Sequence, residues 1–282
     1  MKDDKLYHYT NSQAFLSIIN NKSLWATNIH FLNDTSEFKH TLELTKDIID
    51  IKTNSNNKKK VEFLLSGLEG IKNMSFYCIS FSEEDDLLSQ WRSYGQGNNG
   101  LSLGFSKKEI KTIGNSINAP LIKCIYKEQE QREKIEEIVN RFLDDDKEWE
   151  TGNNVNKVYK RNHKFDEYIY SLAVSFKHYS FREEAEWRLV IPHDGNRVVK
   201  HRAGQSYIIP YVEFPLEDIP SALKQIIIGP TPNTAISKKA LKHFFSTKKI
   251  AAFYEPYDPS IAFSVFDGEI ELIVSKIPYR NW

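Results

Sequence analysis

Only two cysteines, Cys78 and Cys124, occur in 282 residues. Each lies in an apolar, strand-like run, so the pair reads as two buried thiols in a reducing compartment rather than as a disulfide framework. No Cys/His grouping has zinc-site spacing. Net charge is lacking too: Lys+Arg and Asp+Glu both number 38. That balance argues against a generic polyanion binder, whose affinity rests on a large positive excess, and leaves open only a local basic patch. No run reaches the ~18 apolar residues of a membrane span. The opening Met1-Lys2-Asp3-Asp4-Lys5 has no apolar segment of the secretion-signal kind, and the expectation is a cytoplasmic protein. There is no internal repeat and no low-complexity tail. Gly95, Gly97 and Gly100 lack the strand-to-helix setting of a dinucleotide fingerprint, and Gly229-Pro230 has no phosphate-loop signature beside it. Methionine is scarce, with two residues in an Asn-, Lys- and Ile-rich chain, a composition that fits an AT-rich bacterial genome.

What is present is aromatic. The chain holds 17 Phe, 14 Tyr and 5 Trp, enough to build a sizeable core and still line a ligand cleft. Its length suits one large domain or two small ones.

Taken in order, Leu6-Tyr7-His8-Tyr9-Thr10 reads as a strand. Asn11 or Ser12 caps a helix whose apolar face is Phe15, Leu16, Ile18 and Ile19, and Leu24 to Thr27 returns as a strand. Asp34 and Glu37 have capping-box spacing before a helix ending near Ile51. A polar stretch follows, and its lysines, Lys58-Lys59-Lys60, read as the solvated start of a short helix. Phe76 to Phe81 is a buried strand, Leu87, Leu88 and Trp91 have helical spacing, and Leu101 to Phe105 is another strand. A short helix from Lys107 and a strand over Ile122 to Tyr126 precede a change of composition: from residue 128 to 178 helix formers dominate. Later strands are expected at 206–212, 225–229, 251–254 and 261–266. A last one, 269–274, is expected to form a hairpin across Asp267-Gly268, and a helix lies near 236–245. The fold class expected is α+β. It has a mixed, mainly antiparallel β core in a single domain over residues 1–282, with residues 128–178 as a helical insertion.

The most unusual stretch is Phe181-Arg182-Glu183-Glu184-Ala185-Glu186-Trp187-Arg188-Leu189-Val190-Ile191. Glu184 and Glu186 are two apart, so on an extended chain they point the same way, with Arg188 on that face and Trp187 turned toward the core. The carboxylates could line a site or pair with Arg182 and Arg188 in an ion network. Two other places carry candidate chemistry: His8, Tyr9 and Thr10 on the first strand, and Ser80-Phe81-Ser82 with Gln90, Trp91, Arg92 and Tyr94 downstream. Each also has a structural reading, as a hydrogen-bonded core histidine or a turn serine. Asp144-Asp145-Asp146 reads as a solvated helix end.

Tyr7-His8-Tyr9, Asn33-Asp34, Tyr77-Cys78-Ile79-Ser80-Phe81-Ser82, Trp91-Arg92-Ser93-Tyr94, Gly100-Leu101-Ser102-Leu103-Gly104-Phe105, Glu184-Ala185-Glu186-Trp187-Arg188 and Ile226-Ile227-Ile228-Gly229-Pro230 follow one another in the chain. Together they resemble a widespread, uncharacterised bacterial family, the domain of unknown function numbered 2971, which carries no settled activity. The opening strand, helix and strand are also similar to the start of ADP-ribosyltransferase-like folds. That second resemblance implies a split sheet, NAD as substrate, no metal, and a nucleic-acid or protein acceptor, with a role in phage defence or as a toxin. It implies that His8 and Thr10 hold NAD and that Ser80 or Ser82 buttresses the catalytic Glu186. Glu184 would orient the nucleophile, Tyr9, Trp25 or Trp91 would stack on nicotinamide, and Tyr94 and Arg188 would complete the cofactor-binding set. The alternatives are a metal-dependent hydrolase or nuclease using Glu184, Glu186 and Asp85 or Asp86, and a non-enzymatic nucleotide or nucleic-acid binding module.

Overall fold

The computed structural model describes residues 4–32, 35–71, 74–95, 99–144, 155–193, 195, 197–204, 206–250, 252–254 and 269–278. Its contacts divide the chain into two compact units. One comprises residues 1–27, 77–122 and 184–282, the other residues 28–76 and 123–183.

The first unit carries the sheet. Its strands are β1 (Lys5–Asn11), β2 (Ser23–Asn28), β3 (Phe76–Ser82), β4 (Gly100–Ser106), β5 (Leu121–Lys123), β6 (Glu186–Pro192), β7 (Lys200–Ala203), β8 (Ile208–Pro215), β9 (Leu223–Ile228), β10 (Ala252–Tyr254) and β11 (Glu269–Val274). They run in the order β10-β11-β9-β4-β1-β3-β2-β8-β7, with β6 alongside β3 and β5 alongside β6. The β1–β4, β4–β9, β2–β8 and β7–β8 pairs are antiparallel, while β11 is parallel to both β9 and β10. The expected α+β class with a mixed, mainly antiparallel sheet is therefore what the chain forms. The hairpin expected at the end is not what pairs β11, since parallel partners occupy both of its edges; residues 261–268 lie outside the described residues. The strand expected over 122–126 is also shorter, ending at Lys123, with Ile125 making an isolated bridge to Phe176.

Period-two alternation sorts the sheet's faces. Leu6, Tyr77, Ile79, Phe81, Leu101, Leu103, Phe105, Leu189 and Ile191 join one apolar cluster. It is covered by α1 (Ser12–Asn21), α5 (Lys107–Ser116) and a helix at Thr234–Lys248. Asn11 caps α1 by accepting the Ala14 N–H at 2.9 Å, the role its side chain suggested. Phe15 packs against Phe244 and Phe245 with ring centroids 5.7 and 6.0 Å apart.

On the other face, Tyr7, Tyr9, Ile227 and Trp91 of α4 (Leu88–Tyr94) form a second cluster. Glycines make its room. A Cβ on Gly229 would lie 2.9 Å from the Trp91 ring and 3.0 Å from the Gly100 carbonyl oxygen, and one on Gly100 would lie 3.2 Å from the ring. Tyr7 likewise lies over Gly104, its cross-strand partner.

The second unit packs α2 (Thr35–Ile51), α3 (Lys58–Ile71), α6 (Glu128–Asp144) and α7 (Val155–Ser175) against one another. Helical spacing of Phe38, Leu42, Ile48 and Ile49 against Leu64, Leu68, Ile135, Val139, Phe165 and Ile169 builds its core, all buried. The helices of the expected 128–178 stretch thus pack with α2 and α3. The capping-box pair Asp34 and Glu37 cannot be placed, since Asp34 lies outside the described residues.

Gly229→Ala forces a methyl into the Trp91 ring and a backbone carbonyl, so it is expected to destabilise the fold by about 1–3 kcal/mol. Urea unfolding at constant m-value measures this, and a loss within 0.5 kcal/mol, the ~0.5 kcal/mol scatter of neutral surface changes, would show that the niche relaxes freely.

Candidate functional site

The three strands named by the sequence as carriers of chemistry are neighbours: β1 and β6 both pair with β3. Between β1 and β3 the ladder is confined to one pair, Tyr7 opposite Ser82. Beyond it the imidazole of His8 takes the place of a backbone donor, with Nδ1 3.0 Å from the Ser80 carbonyl oxygen. A carbonyl accepts only, so Nδ1 carries the proton and Nε2 keeps a lone pair, with no hydrogen-bond partner among the described residues. Burial holds the His8 pKa below its usual value. The Ser80 hydrogen bond opposes that shift, and the positive charge of Arg202 adds to it. His8 is therefore neutral at pH 7. Thr10, two residues on, is buried.

Ser82 ends β3 and ties it to the chain entering β6. Its hydroxyl donates to the Glu184 carbonyl at 2.6 Å and accepts the Glu84 N–H at 2.9 Å. The Glu83 N–H donates to the Ala185 carbonyl at 3.1 Å. Between the two candidate carboxylates, Ala185 adopts a left-handed backbone with φ 42°, a strain of order 1–3 kcal/mol for a residue with a Cβ. Glu184 itself ends a 3-10 turn, Tyr179–Glu184. The expectation that Glu184 and Glu186 share one face of an extended chain is overturned by that kink: only Glu186 lies on the strand.

Glu186 and Arg188 are both buried on β6. The guanidinium grips the carboxylate with two bonds, Nε to Oε1 at 3.0 Å and Nη2 to Oε2 at 3.3 Å. Of the ion network considered for this stretch, the Glu186–Arg188 pair is therefore present, and it fixes the carboxylate in one orientation. Beside the pair lies Cys78, whose thiol burial pushes up to about 12. Both Cys78 and Cys124 are buried, and Cys78 is protonated at neutral pH and no nucleophile there. Trp187, half-buried, packs against the core, donates Nε1–H to Glu83 Oε1 at 2.8 Å and carries the Lys107 ammonium 4.0 Å from its ring centre.

The remaining candidates fall elsewhere. Tyr9 and Trp91 are buried edge-on against each other, ring centroids 4.8 Å apart. The Tyr9 hydroxyl donates to the Glu84 carbonyl and accepts the Leu87 N–H, at 2.9 and 3.0 Å. Neither ring presents an open face for stacking, which corrects the nicotinamide-stacking role given to them. Tyr94 is exposed at the end of α4. Asp86 binds Trp91 Nε1 at 2.7 Å, Ser275 Oγ at 2.6 Å and the Lys276 N–H at 2.8 Å. A carboxylate so engaged is a structural tie, and among the described residues no three His, Cys, Asp or Glu side chains cluster as metal ligands. No described helix is long and apolar enough to cross a membrane.

Residues that sequence reasoning passed over lie around Trp25. Arg202 of β7 bonds Thr27 and sits over the Trp25 indole. The only signal was weak, an Arg in a four-residue edge strand, Lys200-His201-Arg202-Ala203, with no apolar pattern.

Residues 90–189 match a family model described as "Protein of unknown function (DUF2971)". The match takes in Trp91 to Tyr94, Gly100 to Phe105 and Glu184 to Arg188, and bears out the family resemblance read from those motifs. No curated protein and no solved structure matches the chain.

Two measurements check this geometry. Arg188→Met alone takes the bidentate guanidinium from the buried Glu186 carboxylate and is expected to cost about 3–5 kcal/mol, whereas replacing both members with Met restores most of the loss; a double-mutant cycle with no coupling would deny the pair. His8 titrates lower in the folded chain than its unfolded 6.5. Between those two values the unfolded chain binds more protons, so stability falls as pH drops from 6.5 through the folded value. Unfolding free energies of wild type and His8→Gln, followed from pH 7.5 downward, are expected to shift in favour of the variant below pH 6.5; a pH-independent difference would contradict the depressed pKa.

Proposed function

We propose that the chain is an ADP-ribosyltransferase-like enzyme that transfers ADP-ribose from NAD to a nucleic-acid or protein acceptor. The observation supporting this reading most directly is the adjacency of β1, β3 and β6. It brings a neutral histidine, two serines and a fixed glutamate onto three neighbouring strands, with His8 bonded to the Ser80 backbone.

In this reading NAD is the substrate and the chain's own groups supply the rest. His8, with Nδ1–H held by Ser80, offers Nε2 as an acceptor for a ribose hydroxyl. Thr10, on the same strand, supplies a second polar contact. Cleavage of the nicotinamide–ribose bond builds positive charge on the ribose, and the Glu186 carboxylate stabilises it. Arg188 holds that carboxylate in a single rotamer while offsetting part of its field. Ser82 acts through the backbone: by binding the Glu184 carbonyl it sets the kink at Ala185 that presents β6. Glu184, at the mouth of the kink, orients the incoming nucleophile.

The test is nicotinamide release from NAD together with a thermal shift, on wild type, Glu186→Gln and Glu184→Gln. Wild type and both variants are expected to gain melting temperature with NAD. Glu186→Gln is expected to lower release by about 100-fold or more, the scale on which a group stabilising developing charge contributes. Glu184→Gln is expected to reduce transfer to an acceptor more than release. The absence of both a thermal shift and nicotinamide release with wild type sinks the reading.

A further inference from the structure

We propose that Arg202, Trp25 and Thr27 form a binding site for a phosphate group, at the β2–β8–β7 end of the sheet. The fuller identification, the diphosphate of a dinucleotide, rests on the transferase reading above.

The site is built by strand register. Trp25 and Thr27 are two apart on β2 and share a face, opposite Glu213 and Tyr211 of β8. Lys200 and Arg202 are two apart on β7, with Lys200 also opposite Tyr211. Arg202 Nη2 donates to Thr27 Oγ1 at 3.0 Å, and the guanidinium carbon lies 5.9 Å from the Trp25 ring centre. Trp25 in turn packs against Tyr211, ring centroids 4.7 Å apart.

This cluster has donors and lacks an acceptor. Arg202 Nε–H and Trp25 Nε1–H are both buried and without a hydrogen-bond partner among the described residues. Thr27 Oγ1 accepts from Arg202, which leaves its own proton to donate. Buried donors are satisfied in nearly every native fold, so two in one cluster point to an acceptor that comes from outside the chain.

Charge makes the same point. The carboxylate that faces the cluster in register, Glu213, is bound to Lys200 at 2.7 Å. Lys200 and Arg202 against Glu213 leave one positive charge over. Arg188 shows how the chain supplies a structural arginine with a carboxylate; among the described residues Arg202 has none within ion-pair distance. Its positive charge reaches His8 and disfavours protonation there, which puts the cluster within electrostatic range of the candidate site. A guanidinium fork, an indole N–H and a hydroxyl together offer more donors than a two-oxygen carboxylate takes up, and suit the several oxygens of a phosphate.

The probe is inorganic pyrophosphate, titrated calorimetrically into the full chain at fixed ionic strength, with acetate as the carboxylate comparison. Arg202→Gln is expected to weaken pyrophosphate binding by about tenfold or more, the loss of one charge-assisted contact. Thr27→Val, which keeps the shape and removes the hydroxyl, is expected to weaken it by about threefold. Lys111→Gln, an equal loss of charge on an exposed position of α5, should change it by less than about twofold. Melting without ligand confirms that each variant folds. No pyrophosphate binding to wild type, equal losses in Arg202→Gln and Lys111→Gln, or tighter binding of acetate would each overturn the site. Pyrophosphate binding that depends on Arg202, without nicotinamide release, supports the phosphate site and removes the dinucleotide. Nicotinamide release with pyrophosphate binding indifferent to Arg202 overturns this inference alone.

Discussion

Ser82 sits where β1, β3 and β6 come together, and one hydroxyl serves as donor and acceptor there. Toward β1, Ser82 stands opposite Tyr7 in the single ladder pair between those strands. Toward β6, its Oγ–H bonds the Glu184 carbonyl while the Glu84 N–H bonds Oγ. The second tie, Glu83 N–H to the Ala185 carbonyl, closes a short loop of bonds around the kinked peptide. A left-handed alanine is an unfavourable conformation in isolation. Here the surrounding bonds over-determine it, and the strand that carries Glu186 and Arg188 starts directly after it. The position of the buried ion pair thus follows from a serine one hundred residues earlier.

Past the Tyr7–Ser82 pair the sheet changes character. β1 continues its full ladder with β4, but toward β3 the backbone partner is replaced by the His8 ring. A strand carbonyl left without a donor would be costly. An imidazole solves that need and, by committing Nδ1, fixes its own tautomer. The opening between β1 and β3 and the chemical state of His8 are therefore one arrangement seen from two sides.

Charge is handled in two contrasting ways on this sheet. Glu186 and Arg188 neutralise each other in a buried bidentate pair. Around Trp25 the guanidinium of Arg202 is only partly desolvated, with a hydroxyl and an aromatic face as neighbours. The overall charge of zero hides this difference, because composition counts charges and does not say which of them are paired.

Much of this was legible in the chain. The cap at Asn11, the helix that follows it, the strand over Leu101 to Phe105 and the position of the Glu-x-Glu-Trp-Arg stretch follow from local spacing, because helices and strands impose periods on the residues that face a core. Arg188, two residues from Glu186 on one strand, announced the ion pair in the same way. The kink between Glu184 and Glu186 was not legible: Glu-Ala-Glu has no intrinsic preference for a left-handed residue, and the bonds that impose it come from Ser82 and Glu83. Nor was the burial of Tyr9 and Trp91, since an aromatic residue reads alike in a core and in a cleft, and the glycines that admit the indole are spread from Gly100 to Gly229. The parallel pairing of β11 and the edge strand β7 also escaped, as pairing partners are chosen across the sheet rather than along the chain. The sequence by itself determined the elements, their faces and the family motifs, all of which depend on neighbours a few residues apart. Tertiary structure alone decided which strands lie together, where the backbone kinks before Glu186 and which arginine, among the described residues, has no acid within ion-pair distance, because those depend on groups brought near by folding from far along the chain.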